Sequence, residues 1–181
     1  NPVEGQVWYN STSNVLKGSV LTSTGSWATS GALNTARNSL GGTGTQTAAL
    51  AFGGQPPNTA VTELYNGSNW TEVNDLNTAR NGPGGFGTST SSLAYGGEGS
   101  SPNPKNQTEL WNGTNWTEVN NLNNTGKYIG RAGTDSTAGL AVSGIGPDNS
   151  SPVANVELWN GTNWTETTDV NTARDNLGGS G

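Results

Sequence analysis

The 181-residue sequence contains no cysteine, no histidine and no methionine. Disulfides, thiolate nucleophiles, imidazole general bases and soft-metal sites are therefore outside its chemistry. Without His or Cys, the familiar nucleophile–base pairs of hydrolytic enzymes cannot be assembled. Charge is scarce too: 7 Lys and Arg stand against 13 Asp and Glu, a net charge of −6 with no basic cluster. Nucleic acid and anionic membrane are poor partners for such a chain. No apolar run approaches the roughly 18 residues that span a bilayer, and no charged-then-apolar signal opens the sequence. The first residue is Asn1, so a processed or excised chain is expected. Hydrophobic residues make up only 29%, a level that on its own points toward disorder.

Against that stand 7 Trp, 4 Tyr and 2 Phe at regular intervals, with 28 Gly, 8 Pro and many Ser, Thr and Asn. Short strands joined by tight turns fit this composition; helices do not. The most conspicuous stretch occurs three times: ELYNGSNWTE from Glu63, and ELWNGTNWTE from Glu109 and from Glu157. Each copy reads as strand, two-residue Asn-Gly turn, strand. The paired aromatics around the turn supply packing that an isolated hairpin lacks.

The spacing extends the repeat. Leu33, Leu76, Leu122 and Val170 open units at intervals in the forties, and NTAR or its relative follows each time. The units run 33–75, 76–121 and 122–169, and a fourth begins at 170 and stops at 181. Within a unit, the Gly-rich stretch after NTAR is strand one. Strand two covers Thr47–Gly54, Ser91–Gly97 or Thr137–Gly144. A variable loop follows, then ELxNG as strand three and NWTE as strand four. A period of this length with four strands per unit is the mark of a β-propeller.

Residues 1–32 read as a meander of three strands, at Gln6–Tyr9, Val15–Leu21 and from Trp27. With residues 170–181 as strand one, they complete a fourth blade from both chain ends and leave no open edge. Two other arrangements stay open. The chain is a fragment of a longer propeller, or its end strands pair with the next subunit and build an open filament.

Two resemblances rest on particular residues. The segment Gly5-Gln6-Val7-Trp8-Tyr9-Asn10, with Gly25-Ser26-Trp27, resembles a segment of tailed-bacteriophage tail fibres. Gly53-Gly54, Tyr65, Trp70 and Arg80, then Gly96-Gly97, Trp111 and Trp116, resemble the Kelch repeat. The hairpin is shorter than the usual Kelch loop, and Ser143-Gly144 and Gly126 depart from the Gly-Gly and Arg of that motif. The resemblances imply an all-β, Kelch-like propeller of about four blades. They also imply a non-enzymatic module on the virion surface or outside a cell, recognising a host surface glycan or receptor. The alternative is a structural filament subunit that assembles head-to-tail with its own copies. A homo-oligomer or filament is expected, with no cofactor, no metal, no nucleic acid and no membrane insertion.

Candidate site residues divide by whether they recur. Glu63, Glu109 and Glu157 share one repeat position, and Glu72, Glu118 and Glu166 another, so both sets read as structural and not as a catalytic pair. For Arg37, Arg80 and Arg174 the structural reading is a hydrogen bond or ion pair between blades, with the Glu of ELxNG as partner. The functional one is an anion or glycan contact at the axis. Trp27, Trp70, Trp116 and Trp164 read as packing between blades. Trp111 and Trp159, with Tyr at the equivalent position 65, read as half-exposed surfaces for stacking on sugar. Asn-x-Ser/Thr occurs ten times; Asn66, Asn112 and Asn160 are possible glycosylation sites, although the turn already explains these residues. The loops that differ between units are where binding is expected, on one face of a rigid scaffold, with Asn103, Lys105, Asp148 and Asn149 as polar contacts.

Overall fold

A computed structural model describes residues 7–10, 12, 15–18, 29–100 and 103–179. Among the described residues there are strands and turns but no helix, hence none that could cross a membrane. A short antiparallel pair, β1 (Val7–Asn10) and β2 (Val15–Gly18), lies near the start. These are the first two strands expected from the sequence, each with a shifted boundary. Of the strand expected from Trp27, residues 27–28 lie outside the described residues and 29–31 form no strand; nor do residues 175–179, expected as the start of a closing blade.

Three four-stranded antiparallel sheets follow, each a simple meander. The first comprises β3 (Gly41–Thr45), β4 (Ala48–Phe52), β5 (Thr62–Tyr65) and β6 (Trp70–Val73). The second comprises β7 (Gly84–Gly87), β8 (Ser92–Tyr95), β9 (Thr108–Trp111) and β10 (Trp116–Val119). The third comprises β11 (Gly130–Asp135), β12 (Ala138–Ile145), β13 (Pro152–Trp159) and β14 (Trp164–Glu166). In the first two sheets the Gly-Gly pairs 53–54 and 96–97 take positive φ and stop strand two. In the third, Ser143 (φ 60°) absorbs a bulge and the ladder runs on to Ile145 opposite Pro152. Part of the expected variable loop is therefore strand.

The expected two-residue Asn-Gly turn is a four-residue loop. Tyr65 faces Trp70, Trp111 faces Trp116 and Trp159 faces Trp164, and only the Gly of each Asn-Gly has positive φ. The reason is the Asn side chain. Asn66 Oδ1 accepts from Ser68 N at 3.0 Å and Asn69 N at 2.9 Å, and Asn112 and Asn160 repeat this geometry. The side chain caps the loop in place of a type I′ turn.

The glycine-rich strands β3, β7 and β11 lie side by side, β3 against β7 and β7 against β11. Small residues are required there because rings cover them. A Cβ on Gly41 would sit 2.4 Å from the Phe52 ring, one on Gly84 2.3 Å from Tyr95, and one on Gly85 2.6 Å from Phe52 of the preceding sheet. A backbone chain also ties the units together just before these strands. Gly82 N donates to Ser39 O (2.7 Å), Tyr128 N to Gly82 O (2.8 Å) and Asn176 N to Tyr128 O (3.3 Å). All four residues have positive φ, between 51° and 61°.

Tryptophan packs each sheet on the one before. Trp116 meets Phe52 edge-on with ring centroids 5.1 Å apart, and its Nε1 donates to Thr62 Oγ1 at 3.1 Å. Trp164 meets Tyr95 at 5.0 Å and Phe86 at 6.1 Å, and donates to Thr108 Oγ1 at 3.0 Å. Trp70 Nε1 donates to Gly31 O at 3.2 Å. Each buried indole contributes on the order of 5 kcal/mol of transfer free energy as an upper bound. That offsets the low hydrophobic content.

Candidate functional site

The recurring carboxylates form a clasp inside each unit. Glu63, Glu109 and Glu157 sit on β5, β9 and β13, the third strands, and are buried. Each folds the preceding NTAR segment onto its own sheet. Glu63 Oε2 accepts from Asn34 N (2.7 Å) and Nδ2 (3.0 Å), while Oε1 accepts from Thr35 N (3.3 Å) and Arg37 Nη1. Glu109 accepts from Asn77 N (2.7 Å), Asn77 Nδ2 (2.8 Å) and Arg80 Nη2. The Arg–Glu pairs thus lie within a unit, and not between units as expected. The reason is that the NTAR segment crosses the sheet it introduces: Asn34 Nδ2 donates to Trp70 O on β6 (3.0 Å), and Arg37 Nε donates to Gly53 O just past β4 (2.9 Å). Burial pushes the Glu63 carboxyl up. The Arg37 hydrogen bond and the Asn34 and Thr35 N–H groups outweigh burial and hold it below the ordinary value. Burial lowers the Arg80 guanidinium, and Glu109 partly offsets this. In the third unit Gly126 stands in place of Arg, and Asn124 N (2.9 Å) and Nδ2 (3.4 Å) donate to Glu157 instead. Glu72, Glu118 and Glu166 are exposed.

This burial removes two expected ligand contacts. Trp111 and Trp159 are each 1% exposed, and their Nε1 atoms donate to Ser89 O (3.1 Å) and Ser136 O (2.9 Å). They have no free face for a sugar ring. Tyr65 is equally a packing residue, against Trp70. Arg37 and Arg80 are buried, whereas Arg174 is exposed and donates from Nε to Thr172 O at 3.2 Å.

The variable loops converge on one end of the sheets, beside the start of each first strand. Glu98 ties them together. Its carboxylate meets Lys127 Nζ at 2.8 Å and Asn149 Nδ2 at 3.2 Å. Its backbone carbonyl accepts from Asn58 Nδ2 at 3.0 Å. Asn58 also reaches Gly99 O (2.7 Å) and accepts from Asn81 Nδ2 (2.9 Å). The Lys127 hydrogen bond, outweighing burial and helped by Asn149 and Asn81, keeps the Glu98 carboxyl below its ordinary value. Of the residues expected as contacts, Asn103 and Asp148 are exposed and Lys105 and Asn149 half-buried. Asp148 caps its own turn, accepting from Ser150 N (3.0 Å) and Ser151 N (2.8 Å). Those bonds, with the Ser151 hydroxyl first among them, hold its carboxyl far below the usual range. Asn149 adopts φ 61° in the same turn and is tied to Glu98. Both residues shape the loop as well as present polar atoms.

Two cavities involve the segments that open all four units. One, about 270 Å³, lies at the loop end and is lined by residues 39–40, 82–83, 128–129 and 176–177. The other, about 360 Å³, is lined by residues from β3, β7 and β11 together with Gly179, and extends toward the opposite end. Sequence reasoning missed three residues around these cavities. Tyr128, whose OH reaches Asn81 Oδ1 at 3.3 Å, stands where the other units carry Ser39, Gly82 and Asn176; Arg131 stands where they carry Gly42, Gly85 and Gly179; and Lys127 stands where none carries a cation. Departure from the repeat was the available signal.

No protein-family model matches the chain, and no curated protein matches it.

Proposed function

We propose that this chain is a non-enzymatic recognition module, built as a Kelch-like propeller of about four blades. Its loop end engages a host surface glycan or receptor from the surface of a virion or similar filament. Three things support the propeller: first strands that lie side by side, the hydrogen-bond chain from Ser39 through Gly82 and Tyr128 to Asn176, and cavities lined by all four units. The observation that carries recognition is the Glu98 hub. It fixes loops of different length and sequence into one polar surface while the scaffold beneath repeats. A preorganised surface loses little entropy on binding, and repetition in an oligomer multiplies weak contacts.

A glycan array probed with the full chain tests this, alongside the Asn103→Ala/Lys105→Ala double variant. Binding to a defined glycan class that the double variant weakens at least tenfold supports the reading. Absence of binding to any glycan or to host cells, or binding indifferent to both substitutions, defeats it.

The second reading, a filament subunit assembling with its own copies, draws on Arg174. Its counterparts Arg37 and Arg80 each clasp a buried glutamate. Arg174 is exposed and makes no ion pair among the described residues. Strand exchange would bring a neighbouring copy to this unit. Mass that grows with concentration in sedimentation, with open fibres in micrographs and no glycan binding, would favour it.

A further inference from the structure

We propose a second site, separate from the loop end: a receptor for a small oxyanion, carboxylate or sulfate, in the 360 Å³ cavity between the glycine-rich strands, with Arg131 as its cation. The volume lies at the small end of the range for ligand pockets. Its wall is mainly glycine backbone and the threonines 43, 45, 88 and 134, and no lining residue is acidic. Arg131 is the one charged residue in that wall. It stands second in β11, opposite Ala141, where the other sheets place Gly42 opposite Ala51 and Gly85 opposite Ala94.

The other cations whose side chains are described, apart from the half-buried Lys105 at the loop end, are matched by a carboxylate or by solvent. Arg37, Arg80 and Lys127 each meet a carboxylate, and Arg174 sits in solvent. Arg131 does neither. It is half-buried, lines a cavity, and has no ion pair or side-chain hydrogen bond among the described residues. The nearest carboxylate along the strand, Asp135, is committed to Thr137 N (2.7 Å) and Thr137 Oγ1 (2.5 Å). A partly desolvated guanidinium at a cavity wall can take a ligand oxyanion through two parallel N–H donors. Threonine hydroxyls and glycine backbone around it suit a hydroxylated molecule carrying that charge.

Calorimetric titration of the full chain with glucuronate, inorganic sulfate and neutral glucose tests the site, with Arg131→Gly and Arg131→Gln as variants. Arg131→Gly restores the residue found at Gly42 and Gly85, so the fold is expected to survive, and thermal unfolding checks this. The expected result is binding of glucuronate or sulfate but not glucose. Both variants should weaken it at least tenfold at unchanged Tm, with Asn103→Ala/Lys105→Ala leaving it intact. Glucose binding as well as glucuronate, anion binding unaffected by either Arg131 variant, or no anion binding at 10 mM would each overturn the proposal. Glycan-array binding that survives Arg131→Gly leaves the loop-end reading standing. Anion binding without any glycan recognition leaves this site standing alone.

Discussion

The clasp makes a quantitative prediction because the protein contains it in two versions. Glu109→Gln removes one negative charge from a site where Arg80 is 1% exposed. Arg80 keeps its bonds to Gly96 O (3.1 Å) and Gln107 O (2.9 Å) but loses its counter-charge. Stranding a buried charge costs about 3–5 kcal/mol. Glu157→Gln makes the same chemical change where Gly126 replaces the arginine, so no cation is stranded. It weakens charge-assisted bonds to Asn123 and Asn124, a loss of about 1.5–3 kcal/mol. The first substitution should therefore cost about 2 kcal/mol more than the second.

Equilibrium urea unfolding at pH 7 reads this difference. At an m-value of about 2 kcal/mol/M, Glu109→Gln lowers the midpoint by about 2 M and Glu157→Gln by about 1 M. The Arg80→Gln/Glu109→Gln double variant should cost about 2 kcal/mol less than the sum of its single variants. Equal losses for the two glutamates, or a coupling within about 0.5 kcal/mol of zero, would refute the argument that the ion pair, and not the backbone N–H bonds alone, sets the cost of opening a unit.

Two further predictions concern packing and pH. Trp116→Ala should destabilise by about 3–5 kcal/mol, because a buried indole against Phe52 and its bond to Thr62 are lost together. Trp70→Ala, at a half-buried position, should cost clearly less, and comparable urea midpoints for the two would contradict this ranking. The Glu63 and Glu98 carboxyls are both held below their ordinary value of 4.5. A depressed carboxyl stabilises the fold above the unfolded value and ceases to do so as pH falls through the folded one. Tm should thus be level from pH 7 to about 5 and fall below about 4.5, and Glu98→Gln should reduce the fall; a Tm flat down to pH 3 would contradict it.

Much of the architecture was legible because the repeat is a constraint on alternatives. When Arg and Glu recur in phase, a contact between them must be compatible with every copy. That reasoning identified the two residue types as partners but placed the contact between units, whereas Arg37 meets Glu63 and Arg80 meets Glu109 within one unit. Phase gives neighbours but not which strand the NTAR segment runs along. The turn was misjudged for a different reason. Asn-Gly scores as a type I′ turn when backbone φ alone is considered, but Asn66 Oδ1 can accept two N–H groups from the residues that follow, and a four-residue loop satisfies more donors. Exposure at Trp111 and Trp159 was inferred from tyrosine at the equivalent position. Tyr65, only 9% exposed, shows that ring exchange at one repeat position signals shared burial as readily as shared exposure.

Arg131 marks the limit of that approach and also its use. The third unit reads GRAGTD where the others read GGTGT and GGFG, so the loss of glycine looks like decay of the repeat. Only the fold shows that this position borders a cavity shared by four units, where a single substitution changes the site for all of them. A residue that recurs is held by scaffold chemistry common to every unit. A residue that breaks the pattern at a half-buried, shared position escapes that explanation: a charge there loses part of its solvation, and no described side chain offsets it by hydrogen bond or ion pair. The same logic separates Lys127, whose charge Glu98 meets within the loop network, from Arg131, whose charge no described residue meets by ion pair or side-chain hydrogen bond.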